Sequence, residues 1–155
     1  MAGAIEARLA EMGIVLTEPP RPVASYVGFV RQGDLVFVSG QLPFADGKLT
    51  ATGLLGRDVS VEDAAAAARQ CAINLLAQAK AACDGDLDRI ARCVRLGGFV
   101  ASTPDFTGHP AVINGASDLI GEALGEKGAH ARAAVGVAAL PLNACVEVEA
   151  IFAVS

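Results

Sequence analysis

The chain has 155 residues, a formal net charge of −5 and hydrophobic residues at 53% of its positions. This length predicts a single domain over residues 1–155, and no uncharged apolar run reaches the roughly eighteen residues that a membrane span needs. An acidic chain without a lysine or arginine cluster lacks the positive surface on which nucleic-acid affinity mainly rests. Composition therefore predicts neither a membrane nor a nucleic acid as partner.

The first elements are an arm and a hairpin. Apolar residues on one helical face predict a short amphipathic helix over residues 5–12, and the prolines that follow force an extended backbone. The whole arm, residues 1–25, is expected to be an N-terminal extension that lies on the surface as a strap. β-rich runs over 26–31 and 35–39, separated by Gln-Gly-Asp, then predict a β-hairpin.

A long helix and a strand form the middle of the chain. Residues 40–56 carry turn residues and are expected to be a loop. Ser60, followed by Asp63, has the form of a helix N-cap, and the helix is expected to run to about Ala82 with an inward stripe of small residues. A strand over about 90–100 comes next.

The last third predicts a helix from about Asp105 to Leu124 and two C-terminal strands. The order β-β-α-β-α-β-β favours an α+β sandwich, in which two helices pack on one face of a mixed β-sheet. The high apolar content exceeds what one such core needs. It is best explained by contacts between subunits.

Polar groups that could bind a cofactor or metal are sparse. The four cysteines form no C-x-x-C pair, and neither His109 nor His130 has a second ligand at metal-binding spacing. We therefore expect no metal and no cofactor, and cysteines that act as small buried hydrophobic residues. The N-terminus lacks the basic start and apolar stretch of a secretory signal, so we expect a cytoplasmic location.

An arginine and a glutamate stand out in the C-terminal strands. Arg132 lies at the start of one apolar strand, and Glu147 lies at the start of the next. An arginine can bind a carboxylate through two parallel hydrogen bonds, and a glutamate can position or activate a water. Two polar residues on the solvated face of an ordinary hairpin would give the same pattern.

The spacing of this pair leaves its geometry open. In a simple hairpin that turns at Pro141-Leu142, Arg132 would lie opposite Ile151, roughly 13 Å from Glu147. Three arrangements could still join the pair in one site: the arginine reaches across, the two strands are not sheet neighbours, or different subunits complete the site.

Five segments in order resemble the Rid (reactive intermediate deaminase, YjgF-like) family, once labelled L-PSP endoribonuclease-like. The C-terminal pattern is A-R-x-x-V-x-V-x-x-L-P followed by V-E-V-E-A-I. The other matching segments are Tyr26-Val27, Val38-Ser39-Gly40-Gln41-Leu42-Pro43, and Phe99-Val100 with Pro104-Asp105-Phe106. The resemblance implies the chorismate-mutase-like fold and a homotrimer with clefts between its subunits.

The resemblance also implies an activity, the hydrolysis of short reactive 2-imino acids to 2-oxo acids and ammonia by an enamine/imine deaminase. Arg132 matches the arginine that binds the substrate carboxylate, and Glu147 the glutamate that holds or activates the hydrolytic water. The remaining matches are a tyrosine that lines the cleft, a loop that closes it and a helix asparagine. These are Tyr26, Ser39 with Gly40, and Asn114.

The chain departs from the family where Ala134 replaces the cysteine that many members carry two places after the arginine. This excludes a reactive thiol there, although the backbone of Ala134 could still contact a ligand. The segment Ala133-Ala134-Val135-Gly136 is also smaller than usual, which suggests a larger cleft and a different substrate. The alternative function is a trimer of the same fold that binds a small carboxylate metabolite without catalysis. Ribonuclease activity is disfavoured by the charge.

Overall fold

The structure is a computed structural model that describes residues 3–19, 21–22 and 24–155. In these residues the helices are α1 (Ala4–Glu11), α2 (Val61–Ala82) and α3 (His109–Leu124). The strands are β1 (Phe29–Gln32), β2 (Leu35–Gln41), β3 (Phe44–Ala45), β4 (Lys48–Leu49), β5 (Ile90–Ala101), β6 (Ala131–Val137) and β7 (Val146–Val154). The short β3–β4 hairpin lies inside the segment predicted to be a loop.

Five strands form one sheet in the order β1-β2-β7-β5-β6. The pair β5–β6 is parallel and the other pairs are antiparallel, which confirms the α+β class with a mixed sheet. Helix α3 carries the chain from β5 back to a parallel neighbour, so β6 becomes an edge strand. Because β5 separates β6 from β7, the hairpin at Pro141-Leu142 is not formed and the two strands are not sheet neighbours.

One face of the sheet is covered by the helices. Along β7 the even-numbered residues from 146 to 154 are buried, whereas the odd-numbered ones from 147 to 153 are half-buried. The helices pack closely on each other: a β-carbon at Gly115 of α3 would overlap the carbonyl oxygen of Ala65 in α2. The predicted N-cap of α2 is confirmed, since the Ser60 hydroxyl accepts a hydrogen bond from the Asp63 amide at 3.1 Å.

Two predicted boundaries are wrong. Tyr26 lies in a bend before β1 rather than in the strand. The reason lies in the neighbouring strand, because the hydroxyl of Ser39, in place of a backbone amide, donates to the carbonyl of Val27. Helix α3 begins at His109 rather than near Asp105, because a turn closes there with the amide of Phe106 donating to Thr103.

The N-terminal arm contains a helix that belongs to the core. Ile5 and Leu9 of α1 are buried, so a surface strap does not describe this part of the arm. The carboxylate of Asp88 accepts hydrogen bonds from the amides of Ala4 and Ile5 at 2.8 and 3.0 Å, which satisfies two free N–H groups of the helix start. These bonds lower the pKa of Asp88.

None of the described helices is long and apolar enough to cross a membrane. Over the same residues, no three His, Cys, Asp or Glu side chains come together as potential metal ligands. The cysteines are free and buried, as predicted for small hydrophobic residues. Burial raises the pKa of the Cys93 thiol to about 12 and that of Cys145 to about 11, so both thiols are protonated at neutral pH.

Candidate active site

The side chain of Glu147 lies across Gly40. A β-carbon at Gly40 would stand 2.6 Å from the Oε2 atom of Glu147, so any larger residue at this position would displace the carboxylate. The register between β2 and β7 shifts between Val38 and Gln41, and this irregularity brings Ser39-Gly40 beside the glutamate. The glycine is thus required for the close approach of the carboxylate.

Ser39 connects the segment that follows Tyr26 to the region of Gly40 and Glu147. Its hydroxyl donates to the carbonyl of Val27 at 2.6 Å, and its amide donates to that of Gly28 at 2.9 Å. Tyr26 directly precedes the two residues that Ser39 binds, and it is 51% exposed. We call the group formed by Tyr26, Ser39, Gly40 and Glu147 the glutamate half-site. The structure brings these four predicted residues to one region.

The carboxylate of Glu147 is half-buried, and none of the described residues donates a hydrogen bond to it or forms an ion pair with it. Burial, and secondarily the negative charge of Glu149, raise the pKa of Glu147. Glu149 differs, because it forms an ion pair with Arg95 at 3.6 Å. Of the two glutamates on this face of β7, Glu147 is the one whose carboxylate has no partner among the described residues.

Arg132 lies at the edge of the sheet, where its guanidinium contacts α3. Nη1 donates to the hydroxyl of Ser117 at 3.1 Å and Nη2 donates to the carbonyl of Pro110 at 3.3 Å. Both acceptors are neutral, and no acidic side chain of the described chain forms an ion pair with the guanidinium. The arginine is therefore half-buried, fixed at two points and still positively charged without a counter-ion.

Asn114 and Ala134 lie near this arginine. Asn114 is exposed on α3, four residues after Pro110 and three before Ser117, so it shares their helical face. Ala134 follows Arg132 on the same face of β6, and its methyl group packs against the hydrophobic core. We call Arg132, Asn114 and Ala134 the arginine half-site. The space left by Gly136 is filled by Ser102 and His109, so it does not widen a cleft within the chain.

The two half-sites lie on opposite faces of the sheet. Arg132 is level with Leu96 and Ala150, which are buried beneath the helices, whereas Glu147 is level with Phe99 on the other face. The two residues are also three positions and two strands apart, roughly 14 Å in the plane of the sheet at usual strand spacings. A single chain therefore does not bring Arg132 and Glu147 into one pocket.

The sheet face that carries Glu147 is open and apolar. Val30 is 52% exposed, Phe37 44% and Val135 46%, on three different strands of this face. Ile151 of β7 is half-buried and level with Val30 and Phe37, whereas Val135 is level with Glu147, four positions along β7. We call these four apolar residues the open sheet face. Exposed apolar side chains on one sheet face are typical of a face that another molecule covers.

Two residues next to the arginine half-site were not predicted from the sequence. The Ser117 hydroxyl contacts both Arg132 and Nε2 of His130, the latter at 2.9 Å. The position of His130, two residues before Arg132, was the available signal. For Ser117 the sequence signal was only its spacing of three residues from Asn114. This spacing does not reveal which strand Ser117 faces.

Comparison with known proteins identifies the family. The family model described as "YjgF/chorismate_mutase-like, putative endoribonuclease" matches residues 6–154. Protein TCP17 of Trypanosoma cruzi is 48% identical over 151 residues, which cover 97% of this chain and 94% of TCP17.

Solved structures show the same fold. Atu1372 from Agrobacterium tumefaciens, a protein of unknown function, is 54% identical with a TM-score of 0.92, covering 97% of this chain and 92% of that one. RidA from the Antarctic bacterium Psychrobacter sp. PAMC 21119 is 30% identical with a TM-score of 0.62, covering 88% and 94%. The chain belongs to the YjgF/chorismate mutase-like family, which includes the RidA proteins.

Proposed function

We propose that the protein is an enamine/imine deaminase that hydrolyses short 2-imino acids to 2-oxo acids and ammonia. The observation that carries the proposal is the pair of half-buried, unpaired charges at the two half-sites. Arg132 is held by neutral partners with no counter-ion among the described residues, and the half-buried carboxylate of Glu147 has a raised pKa. Charges kept in this state are typical of functional sites, because a purely structural role would favour pairing them.

The proposed active site lies between subunits of a homotrimer. Since the half-sites occupy opposite faces, the arginine half-site of one subunit would meet the glutamate half-site of the next. A contact between two different surfaces forms a ring when its rotation closes, and three copies is the number implied by the family resemblance. The open sheet face supports this assembly, because its apolar residues would be buried against the neighbouring subunits.

The reaction requires few catalytic groups, because the carbon of an imine is already electrophilic. Arg132 would hold the substrate carboxylate through two hydrogen bonds. Glu147 would accept a proton from a water as its oxygen adds to the carbon of the protonated imine, and it would then return that proton to the nitrogen. The hydroxyl of this intermediate would lose its proton to Glu147 and become the carbonyl as the carbon–nitrogen bond breaks and ammonia leaves. The rate would come from holding substrate and water together, and this scheme requires neither metal nor cofactor. We propose that the reaction takes place in the cytoplasm.

The alternative proposal is a non-catalytic trimer that binds a small carboxylate metabolite. It needs Arg132 but gives no reason for an unpaired carboxylate with a raised pKa beside Gly40. The deaminase uses both groups and is therefore preferred. Ribonuclease activity is not proposed, because the chain carries a net charge of −5 and no basic cluster.

The test is the release of ammonia from freshly generated short 2-imino acids. The wild-type protein is expected to accelerate release above the spontaneous rate, and the Arg132→Ala variant is expected to lose most of this acceleration. If the wild-type protein has no effect but binds pyruvate through Arg132, the binding protein is the better description. If it neither accelerates release nor binds pyruvate, both proposals fail.

A further inference from the structure

A chain of hydrogen bonds runs from a backbone carbonyl to Arg132. The Nδ1 atom of His130 contacts the carbonyl of Gly128, and its Nε2 atom lies 2.9 Å from the hydroxyl of Ser117. The same hydroxyl accepts from Nη1 of Arg132 at 3.1 Å. His130, Ser117 and Arg132 are all half-buried, so the contacts are partly shielded from solvent.

The donor and the acceptor of each hydrogen bond follow from the backbone carbonyl at the end of the chain of bonds. The carbonyl of Gly128 can only accept, so Nδ1 of His130 must carry the proton that is donated to it. In the neutral imidazole Nε2 is then an acceptor, and the Ser117 hydroxyl donates its single proton to Nε2. Both lone pairs of the Ser117 oxygen are thereby turned away from His130, and one of them faces the guanidinium.

We propose that Ser117 and His130 are positioning residues, which hold the guanidinium of Arg132 in the orientation that binds a carboxylate. Ser117 supplies the acceptor, and His130 fixes the hydroxyl so that its oxygen, not its proton, faces the arginine. The Pro110 carbonyl provides the second point of attachment at 3.3 Å. With two nitrogens anchored to α3, the remaining N–H groups are held for the ligand. This inference rests on the proposed function.

A similar pair, in which the serine follows β5 and the histidine begins α3, provides a matched control. The Ser102 hydroxyl lies 3.1 Å from Nε2 of His109, next to Gly136 and at the same edge of the sheet. No hydrogen bond joins this pair to Arg132 in the described chain. A Ser102→Ala variant therefore removes a comparable serine–histidine contact without touching the arginine.

The first experiment measures pyruvate binding by calorimetry, together with kcat and KM for a short 2-imino acid. Ser117→Ala is expected to weaken pyruvate binding about tenfold, the effect of one hydrogen bond to a charged group. KM should rise more than kcat falls, because the carboxylate is held in ground state and transition state alike. Ser117→Thr keeps the hydroxyl and should restore binding, and Ser102→Ala should bind as the wild type does.

The second experiment separates positioning from a structural role for His130. Asparagine can still donate to the Gly128 carbonyl but places no acceptor where Nε2 lies, whereas glutamine can place its carbonyl oxygen there. Positioning predicts that His130→Gln binds pyruvate more tightly than His130→Asn. A histidine that only secures the turn predicts the opposite order, and that order would overturn its part in the proposal.

Failure of this inference differs from failure of the proposed function. If Arg132→Ala loses pyruvate binding while Ser117→Ala binds normally, the arginine is confirmed as the carboxylate ligand and the positioning role of Ser117 is refuted. If Arg132→Ala binds pyruvate as the wild type does, the proposed function itself is overturned. Thermal unfolding of each variant shows whether a loss of binding reflects loss of the fold.

Discussion

The Glu147→Gln variant is expected to turn over short 2-imino acids at least about a hundredfold more slowly than the wild type, the usual contribution of a positioned general base. Glutamine keeps the size of the side chain above Gly40, so assembly and pyruvate binding should be preserved. Steady-state ammonia release and calorimetric titration measure the two effects separately. Normal turnover in the variant would show that Glu147 is structural.

The same variant is expected to be more stable than the wild type at neutral pH. Because the folded state raises the pKa of Glu147, ionising this carboxyl costs stability at every pH above its pKa in the unfolded chain. The amide removes that cost. Thermal unfolding should show the advantage at pH 7, and the advantage should vanish as the pH falls below about 4, where both states are protonated.

Glu149→Gln is the matched control on the same face of β7. Glu149 is paired with Arg95, and its charge contributes to the raised pKa of Glu147. The control should retain turnover, while the acid side of its pH–rate profile moves to lower pH because Glu147 ionises more readily. A control as slow as Glu147→Gln would mean that the two glutamates act alike.

The Arg132→Lys variant is expected to lose nearly as much pyruvate affinity as Arg132→Ala, about 2–5 kcal/mol. Lysine keeps the charge, but its single nitrogen cannot contact Ser117 and the Pro110 carbonyl and also offer two parallel donors to a carboxylate. Calorimetry with pyruvate measures the loss. Pyruvamide, which lacks the carboxylate, should bind equally weakly to the wild type and both variants.

Wild-type affinity in Arg132→Lys would show that a diffuse positive charge is sufficient and that the geometry at α3 is irrelevant. An intermediate affinity, well above that of Arg132→Ala, would indicate a single hydrogen bond to the carboxylate in place of the bidentate pair.

Local patterns predicted most of the elements because local chemistry determines them. Ser60 and Asp63 predicted the start of α2, and the hydroxyl–amide bond between them confirms it. The start of β1 was missed, since the contacts that bend the chain at Tyr26 come from Ser39, thirteen residues later. The order of the strands in the sheet was not predicted from the sequence. A strand–helix–strand unit usually places its two strands side by side, and this rule could have placed β6 beside β5.

The candidate site was predictable by residue type but not by geometry. The family pattern selected Arg132 and Glu147, whereas their positions on opposite faces follow from the register in which β5 pairs with both of their strands. The contacts of Arg132 with Ser117 and Pro110 depend on how α3 packs at the edge of the sheet. Periodicity identifies which residues share a face of one element, but it does not show which element they contact.

The most direct test of a site shared between subunits mixes two inactive variants. Arg132→Ala and Glu147→Gln subunits are unfolded together in equal amounts and refolded, then assayed for ammonia release. A site is intact when its arginine comes from one variant and its glutamate from the other, so random assembly predicts about a quarter of wild-type activity. Each variant refolded alone should stay inactive. A mixture that also stays inactive would contradict a site built from the Arg132 of one subunit and the Glu147 of its neighbour.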